Sequence, residues 1–355
     1  MNEAKYIGLD VHQATISVAV RDSDGKLVME AILETKAETI LQFVRGLRGS
    51  LHVTFEEGTC AAWLYALLKP HVRQVLVCDP RKNALLKVGN KNDRIDSRKL
   101  AELLRANLLS SVFHENTGLR AVKELARSYL TMTKDLTRVM VRLKALYRSW
   151  AIPCATKQVY APRHRAEWLA KIREASVHRR AELYYQQLDA LRALQQQVKK
   201  ELLIEGRKHS ATKLLRQIPS IGPIRAVLLL ALIQTPHRFR TKRQLWSYCG
   251  LALETRTSAE YRVVHGQLQR SKKPVAIRGL NKNHNHDLKN LFKGAALRAA
   301  AVEKPFQEFY AALVAKGIKP EMARLTLARK IAAITLIVWK KGARFDAEQL
   351  KQQAA

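Results

Sequence analysis

Four carboxylates in the first hundred residues have the types and the spacing of a metal-dependent site. Asp10 and Glu56 each end a predicted strand, and Asp93 and Asp96 lie three residues apart at the start of a predicted helix. Residues at positions i and i+3 of a helix share one face. Like charges held this close raise one another's pKa unless a cation binds between them. Carboxylate oxygens favour Mg²⁺, which can assist phosphoryl transfer.

Each of these residues also has a purely structural interpretation. Asp10 can be a turn residue, Asp93 an N-cap, and Asp96 an ordinary acid in the first turn of a helix. Glu56 can lie at a solvated strand edge, and a register shift of one residue would put Glu57 in its place. The order of two strand carboxylates followed by a helical Asp-x-x-Asp, inside an α/β pattern, favours the metal site.

The elements that must position these carboxylates form an α/β pattern. Runs rich in β-branched residues predict strands, and apolar residues at helical spacing predict helices. The predicted strands are residues 6–11, 15–20, 27–33, 51–56 and 74–78, and the predicted helices are residues 37–47, 60–68 and 96–109. The turn signal at residues 22–25 makes the first three strands an antiparallel meander.

From about residue 118 the chain is predicted to be almost wholly helical. Helical periodicity runs from Leu119 to Trp150 and resumes, after Pro153 and Pro162, over residues 166–203. The two long helices fit either an antiparallel coiled coil or an ordinary bundle. A boundary is predicted at residues 205–209.

Two features interrupt the helical pattern of the last part. Residues 218–223, which include Gly222, resemble the turn of a helix-hairpin-helix element, whose backbone N–H groups can contact a phosphate. A simple helix connector fits equally. Between Gly250 and Gly279 the periodicity is lost and basic residues dominate. An irregular stretch of this length inside a compact domain tends to be functional.

The net charge of the chain is concentrated after the carboxylate region. The whole chain has 63 Lys and Arg against 30 Asp and Glu, a net charge of +33. Residues 1–110 contain 16 basic and 13 acidic side chains, whereas residues 111–355 contain 47 and 17. So large an excess repels itself unless a polyanion neutralises it, and the commonest polyanion in the cytosol is nucleic acid. Residues 111–355 are therefore expected to bind DNA or RNA.

Composition excludes several other classes of protein. A hydrophobic fraction of 47% excludes wholesale disorder. The longest apolar runs, residues 226–233 and 331–339, are far shorter than the ~20 residues of a membrane span. The first residues do not have the pattern of a secretory signal, so we expect a soluble cytoplasmic protein.

Cysteine and histidine give no clear metal site. The four cysteines form no Cys-x-x-Cys pair, which argues against a zinc site or a disulfide framework. His284 and His286 form a His-x-His pair, and Asp287 is the one further ligand type beside them. Contact with RNA or phosphate fits this pair better than a metal does.

Three blocks of residues resemble the motifs of one insertion-sequence transposase family. Residues 6–10, 55–58 and 91–96 resemble its DEDD motif, residues 245–251 with 257–258 resemble its second signature, and residues 277–284 with 288–294 resemble its closing motif. The resemblance implies an α/β, RuvC-like (ribonuclease-H-like) catalytic domain at residues 1–117. It also implies that a helical or coiled-coil section follows at residues 118–208, and then a mainly α-helical transposase domain at residues 209–355.

The same resemblance implies a function. Members of the family cleave and rejoin DNA strands, and the serine after the second signature is their nucleophile, which corresponds to Ser258. Family members usually have glycine after this serine, whereas this chain has Ala259, and Thr257 stays an alternative. The resemblance also implies Mg²⁺ on the four carboxylates and guidance by a bridge RNA. It further implies a homo-oligomer, a dimer or a tetramer, assembled through the helical section, in which the carboxylates of one subunit meet the serine of another.

The segment around Ser258 is basic. Arginine side chains can offset the charge that develops at a phosphate. The residues predicted to bind nucleic acid are Arg256, Arg262, Arg270, Lys272, Lys273, Arg278 and Lys282.

Two other functions stay open on sequence grounds. A Holliday-junction resolvase-like nuclease would hydrolyse DNA with metal and water, and would not need Ser258. A non-catalytic nucleic-acid-binding protein would need neither Ser258 nor Asp10.

Overall fold

The computed structural model describes residues 3–82, 92–114, 118–256, 261–270 and 276–347. The chain divides into two compact units, Met1–Asn116 and Thr117–Ala355, and each is described by itself. The further division of the second unit at residue 208 stays a prediction.

In its described residues, the first unit is a five-stranded mixed sheet with three α-helices. Its strands are β1 (Ala4–Val11), β2 (Thr15–Arg21), β3 (Leu27–Glu34), β4 (Ser50–Glu56) and β5 (Gln74–Cys78), and its helices are α1 (Ala37–Gly46), α2 (Ala61–Leu68) and α3 (Asp93–Arg105). The order across the sheet is β3-β2-β1-β4-β5. Strands β1 to β3 are antiparallel, and β4 and β5 run parallel to β1 and to each other. The predicted meander and the mixed α/β class are confirmed.

One close approach fixes where α3 lies on this sheet. A Cβ atom on Gly8 would lie 2.2 Å from the carbonyl oxygen of Ser97 and 2.5 Å from the amide nitrogen of Ala101. Both atoms belong to the backbone of α3, so no side chain fits between β1 and the helix at this point. Glycine two residues before Asp10 therefore lets the helix rest directly on the strand.

The second unit begins with two long helices. Its first helices are α4 (Arg120–Ser149), α5 (Arg165–Ala170) and α6 (Ala175–Arg207), and α4 packs along α6. Tyr147, Trp168 and Tyr185 lie in the core between them. The predicted single helix over residues 166–203 is wrong, because α5 ends at Ala170 and a separate helix, α6, begins at Ala175. The Glu174 side chain caps the new helix by accepting a hydrogen bond from the Val177 amide at 2.8 Å.

The remaining helices of the second unit pack around a larger apolar core. They are α7 (Ser210–Leu215), α8 (Pro223–Ile233), α9 (Lys242–Tyr248), α10 (His286–Val302), α11 (Lys304–Ala315) and α12 (Pro320–Lys341). The predicted boundary at residues 205–209 falls at the end of α6, where Gly206 lets the helix contact Val227 of α8. In the turn between α7 and α8 the residue with a positive φ is Ser220 (69°), whereas Gly222 has a φ of −72°.

The described residues of the segment between Gly250 and Gly279 include four strands, so the prediction of an irregular stretch is wrong. They are β6 (Leu253–Arg256), β7 (Tyr261–Val264), β8 (Gln267–Arg270) and β9 (Ala276–Leu280). β6 pairs with β9, and β7 pairs with β8, both antiparallel. His265 and Gly266 both have a positive φ, which is typical of a two-residue hairpin turn. All four side chains of β8 are exposed, so burial imposes no alternation on its sequence.

None of the helices in the described residues is both long and apolar enough to span a bilayer. Cys60, Cys78, Cys154 and Cys249 are free thiols.

Candidate metal centre and nucleic-acid interface

Two neighbouring parallel strands carry the first pair of carboxylates. Leu9 of β1 pairs with Phe55 of β4, and both side chains are buried. The next residue is Asp10 in β1 and Glu56 in β4, so the two carboxylates lie at the same level of the sheet. Because successive side chains alternate between the two faces, both carboxylates share the face opposite Leu9 and Phe55. This is the face on which α3 rests, since Gly8 precedes Asp10 by two residues.

The first turn of α3 carries the second pair. Asn92 is the N-cap, and its side chain accepts a hydrogen bond from the Arg94 amide at 3.1 Å. The interpretation of Asp93 as the N-cap is therefore wrong. Asp93 is the first residue of the helix, and the Asp96 amide donates to the Asn92 carbonyl at 2.9 Å.

His12 lies between carboxylates of the two pairs. Its Nε2 atom is 3.2 Å from Oδ2 of Asp10 and 3.6 Å from Oδ1 of Asp93. In the part of the chain that the structure describes, Asp10, His12 and Asp93 are the one group of three or more Asp, Glu, His or Cys residues whose ligand atoms converge, all within 4.8 Å of one another. Sequence reasoning missed His12. The signal was its position two residues after the strand carboxylate, just beyond the end of β1.

The electrostatics of this cluster fit a bound cation. Partial burial raises the pKa of Asp10 above its usual value, and the charges of Asp93 and Asp96 act in the same direction, while the hydrogen bond and charge of His12 oppose them. Oδ1 of Asp96 is buried and has no hydrogen-bond partner among the described residues. A cation bound within this donor set would give that oxygen a partner and would offset the repulsion between the carboxylates. The residues therefore fit a divalent metal, although their role as ligands stays a prediction.

The two candidate glutamates have different surroundings. Glu56 is the last residue of β4 and pairs with Cys78 of β5. Glu57 lies beyond the strand, where its Oε2 atom is 2.6 Å from Nε2 of the mostly buried His114. This difference favours Glu56 as the member of the carboxylate cluster.

The predicted nucleophile and several predicted contacts lie outside the described residues. These are Ser258, its alternative Thr257, and Lys272 and Lys273. The chain enters and leaves residues 257–260 through β6 and β7. Arg256, Arg262 and Arg278 are placed by their backbones in β6, β7 and β9. Arg270, at the end of β8, and Lys282, after β9, are exposed.

A set of hydrogen bonds anchors the base of the β6–β9 pair. The Asn281 side chain donates to the carbonyl oxygen of Ser247 at 3.1 Å, and its backbone amide donates to the carbonyl of Ala252 at 3.1 Å. The His284 ring packs directly over Gly250, where a Cβ atom would lie 2.3 Å from the ring. The pair therefore starts from a fixed point at the end of α9.

The His-x-His pair does not gain a third metal ligand in the described residues. The rings of His284 and His286 lie 4.3 Å apart, and burial lowers the pKa of His284. In the described part of the chain, neither histidine belongs to a group of three or more residues whose metal-ligand atoms converge.

A basic cluster on α8 and α10 was not predicted from the sequence. Lys289 and Lys293 lie one turn apart on α10. Burial lowers the pKa of Lys289, and the charge of Lys293 lowers it further. Burial likewise lowers the pKa of Arg225 on α8, with a contribution from Arg298. Like charges packed this closely are typical of a surface that binds a polyanion. The i, i+4 spacing of the two lysines was the available signal.

Comparisons with known proteins give two family matches. Residues 7–150 match a transposase model of the DEDD type found in IS110, and residues 212–311 match the model of the transposase IS116/IS110/IS902 family. Over 150 residues the chain is 29% identical to the transposase for insertion sequence element IS1533 of Leptospira borgpetersenii. That similarity covers 40% of this chain and 43% of the relative, so the chain matches less than half of that protein's length.

Proposed function

We propose that this chain, which carries two domains of IS110-family transposases, cleaves and rejoins DNA strands during the movement of an insertion sequence. The observation that carries the proposal is the carboxylate cluster. Ligand atoms of Asp10 and Asp93 converge with His12, the charge of Asp96 acts on Asp10, and Glu56 ends the strand beside β1. All of these residues lie within the segment that matches the DEDD model.

Asp10, Glu56, Asp93 and Asp96 would hold the metal, and we propose that it is Mg²⁺. Such an ion supplies charge stabilisation for the attacking and leaving oxygens of a phosphoryl transfer. The protein contributes ligands on rigid elements. The Gly8 contact fixes α3 against β1, and the strand pairing sets Asp10 level with Glu56.

Ser258 is the proposed nucleophile. Its Oγ atom forms a bond to a DNA phosphorus and its proton passes to solvent, while one P–O bond of the strand breaks and the leaving oxygen takes up a proton. Rejoining reverses these steps with a different strand end and releases the serine. The proposal is supported by the resemblance of the preceding residues 245–251 to the family signature and by the basic residues along β6 to β9.

The partners follow from the charge and the family. Residues 111–355 contain 47 basic and 17 acidic side chains, enough to hold DNA and RNA together. We propose that a bridge RNA is one of these partners and selects the DNA by base pairing, while the protein contacts mainly the backbones. The same proposal includes a homo-oligomer that acts in the cytoplasm.

A covalent-trapping experiment tests the mechanism. The purified protein is incubated with Mg²⁺ and a nicked DNA substrate that prevents rejoining, and the products are separated under denaturing conditions. We expect a protein–DNA adduct that maps to the peptide containing Ser258. The Ser258→Ala variant should lose both the adduct and strand exchange, because a methyl group cannot replace the hydroxyl. Thr257→Val is the matched control and should keep both.

The opposite result would identify water as the nucleophile. If Ser258→Ala still cuts DNA and leaves free 5′-phosphate and 3′-hydroxyl ends, the protein is a resolvase-like nuclease. If neither protein cuts DNA but both bind it, the non-catalytic function applies.

A further inference from the structure

His12 occupies a defined position although its side chain is half exposed. Its backbone amide donates to the Thr15 carbonyl at 2.9 Å, and its carbonyl accepts a hydrogen bond from Oγ1 of Thr35 at 3.0 Å. The ring therefore extends from a turn that is tied to the first residue of β2 and to the residue that follows β3. At 50% exposure the ring contributes little to the core, so packing does not explain its placement over the carboxylates.

The distances around His12 match those between ligands of one metal ion. In an octahedral shell with metal–ligand distances near 2.1 Å, neighbouring ligand atoms lie about 3 Å apart. Nε2 of His12 is 3.2 Å from an Asp10 oxygen and 3.6 Å from an Asp93 oxygen. The second distance exceeds that of a hydrogen bond. A single Nε2–H bond to Asp10 leaves the convergence of Asp93 unexplained, whereas one ion would contact all three atoms.

We infer that His12 is a direct ligand of the metal held by Asp10 and Asp93, and that its nitrogen raises the affinity of this site for Mn²⁺ more than its affinity for Mg²⁺. The inference rests on the metal site in the proposed function and adds a ligand and a metal preference to it. Mg²⁺ takes oxygen ligands almost exclusively, whereas imidazole nitrogen is a ligand of first-row transition ions. Removing His12 should therefore weaken Mn²⁺ binding much more than Mg²⁺ binding.

The test measures metal binding by the full-length protein without DNA. Free Mn²⁺ is followed by electron paramagnetic resonance during titration, and Mg²⁺ affinity is obtained by competition. For His12→Gln we expect at least about tenfold weaker Mn²⁺ binding, since losing even an outer-shell partner typically costs this much, and a change in Mg²⁺ affinity of less than about threefold. His71→Gln is the matched control, because His71 is an exposed histidine of the same unit away from the carboxylates.

Pulsed measurements on the bound Mn²⁺ give a direct readout of the ligand. The wild type and His71→Gln should show coupling of the ion to a directly bound imidazole nitrogen, and His12→Gln should lack it. Unchanged Mn²⁺ affinity and unchanged nitrogen coupling in His12→Gln would overturn the inference. Tighter binding of both ions would also overturn it, since His12 would then compete with the metal for the carboxylates.

Asp10→Asn separates this inference from the proposed function. If the wild type binds Mn²⁺, Asp10→Asn abolishes binding and His12→Gln does not weaken it, the carboxylate site stands and the role of His12 is wrong. If the wild type binds neither ion, or Asp10→Asn binds them as the wild type does, both the metal site and the inference fail.

Discussion

The two units hold their candidate chemistry in different ways. In the first unit the carboxylates sit on β1, β4 and α3, which belong to the core of the fold. In the second unit the segment that contains Ser258 connects β6 and β7. These strands belong to two separate two-stranded pairs, whose described residues are not part of the large helical core. The charge differs as well: residues 1–110 are nearly neutral, and residues 111–355 carry the excess.

This difference reflects the precision that each task requires. Metal ligands must hold their positions closely, so they belong at the ends of buried strands and in a helix that backbone contacts fix in place. Contacts to a nucleic-acid backbone depend on the amount of positive charge and on long side chains, which tolerate an exposed β-ribbon or helix face.

The largest expected effect comes from removing a carboxylate. Asp10→Ala, Glu56→Ala, Asp93→Ala and Asp96→Ala should each lower recombination between donor and target plasmids by at least roughly 100-fold, because the transferred phosphoryl loses its charge stabilisation. Gel-shift affinity for nucleic acid should stay nearly unchanged. Glu57→Ala is the control and should be mild, since Glu57 contacts His114 instead. Wild-type recombination by any of the four variants would remove that residue from the site.

The next effect concerns the location of nucleic-acid binding. Replacing Lys289 and Lys293 together by Ala should reduce the salt dependence of DNA or RNA binding by about two units of the log–log slope and weaken affinity about tenfold at moderate salt. The matched control is the Arg45→Ala, Arg48→Ala variant, which removes two exposed charges from the first unit. An equal loss in both variants, measured by salt titration, would contradict the charge division between the units.

Close backbone packing supports both units, and one glycine in each tests it. Gly8→Ala places a methyl group against α3, and Gly206→Ala places one against Val227, at 2.2 Å in both cases. Each should lower the free energy of unfolding by about 1–3 kcal/mol. Hydrogen exchange should show lost protection within the unit that carries the change. Gly46→Ala, with open space around it, is the control.

If Gly8→Ala also lowers the affinity for Mn²⁺ while Gly206→Ala does not, the packing of α3 positions the metal site. Equal Mn²⁺ affinity in both variants would show that the contact of Gly8 with α3 stabilises the first unit without positioning the carboxylates.

The smallest effect is expected at a buried polar pair that has no place in the proposed chemistry. The hydroxyl of Tyr185 donates to the Val159 carbonyl at 3.0 Å and lies 3.1 Å from the hydroxyl of Tyr147. Tyr147→Phe leaves the first bond intact and should cost about 0.5–1.5 kcal/mol. Tyr185→Phe leaves a buried carbonyl without its donor and should cost more, about 1–3 kcal/mol. Urea unfolding measures the order, and recombination should persist in both variants. The reverse order would show that the hydrogen bonds are arranged differently.

Much of the first unit was predictable because its elements have strong local patterns. The meander followed from three β-rich runs and a turn at residues 22–25, and the helices followed from their apolar spacing. The break between α5 and α6 was missed because residues 171–174 contain no glycine or proline. It depends instead on the burial of Trp168 and Ile172 and on the Glu174 cap. Strands β6 to β9 were missed because two-stranded pairs with exposed faces do not require alternating hydrophobic residues.

The sequence by itself determined the local part of the site: the strand that carries Asp10, the strand that carries Glu56, and the helical spacing of Asp93 and Asp96. Periodicity contains this information because it depends only on neighbours along the chain. The tertiary structure decided which of these residues meet. The parallel register of β1 and β4 set Asp10 level with Glu56 and left Glu57 to His114, and the Gly8 contact placed α3 above them. The turn after β1 added His12. These choices depend on pairings between residues tens of positions apart, which no local pattern encodes.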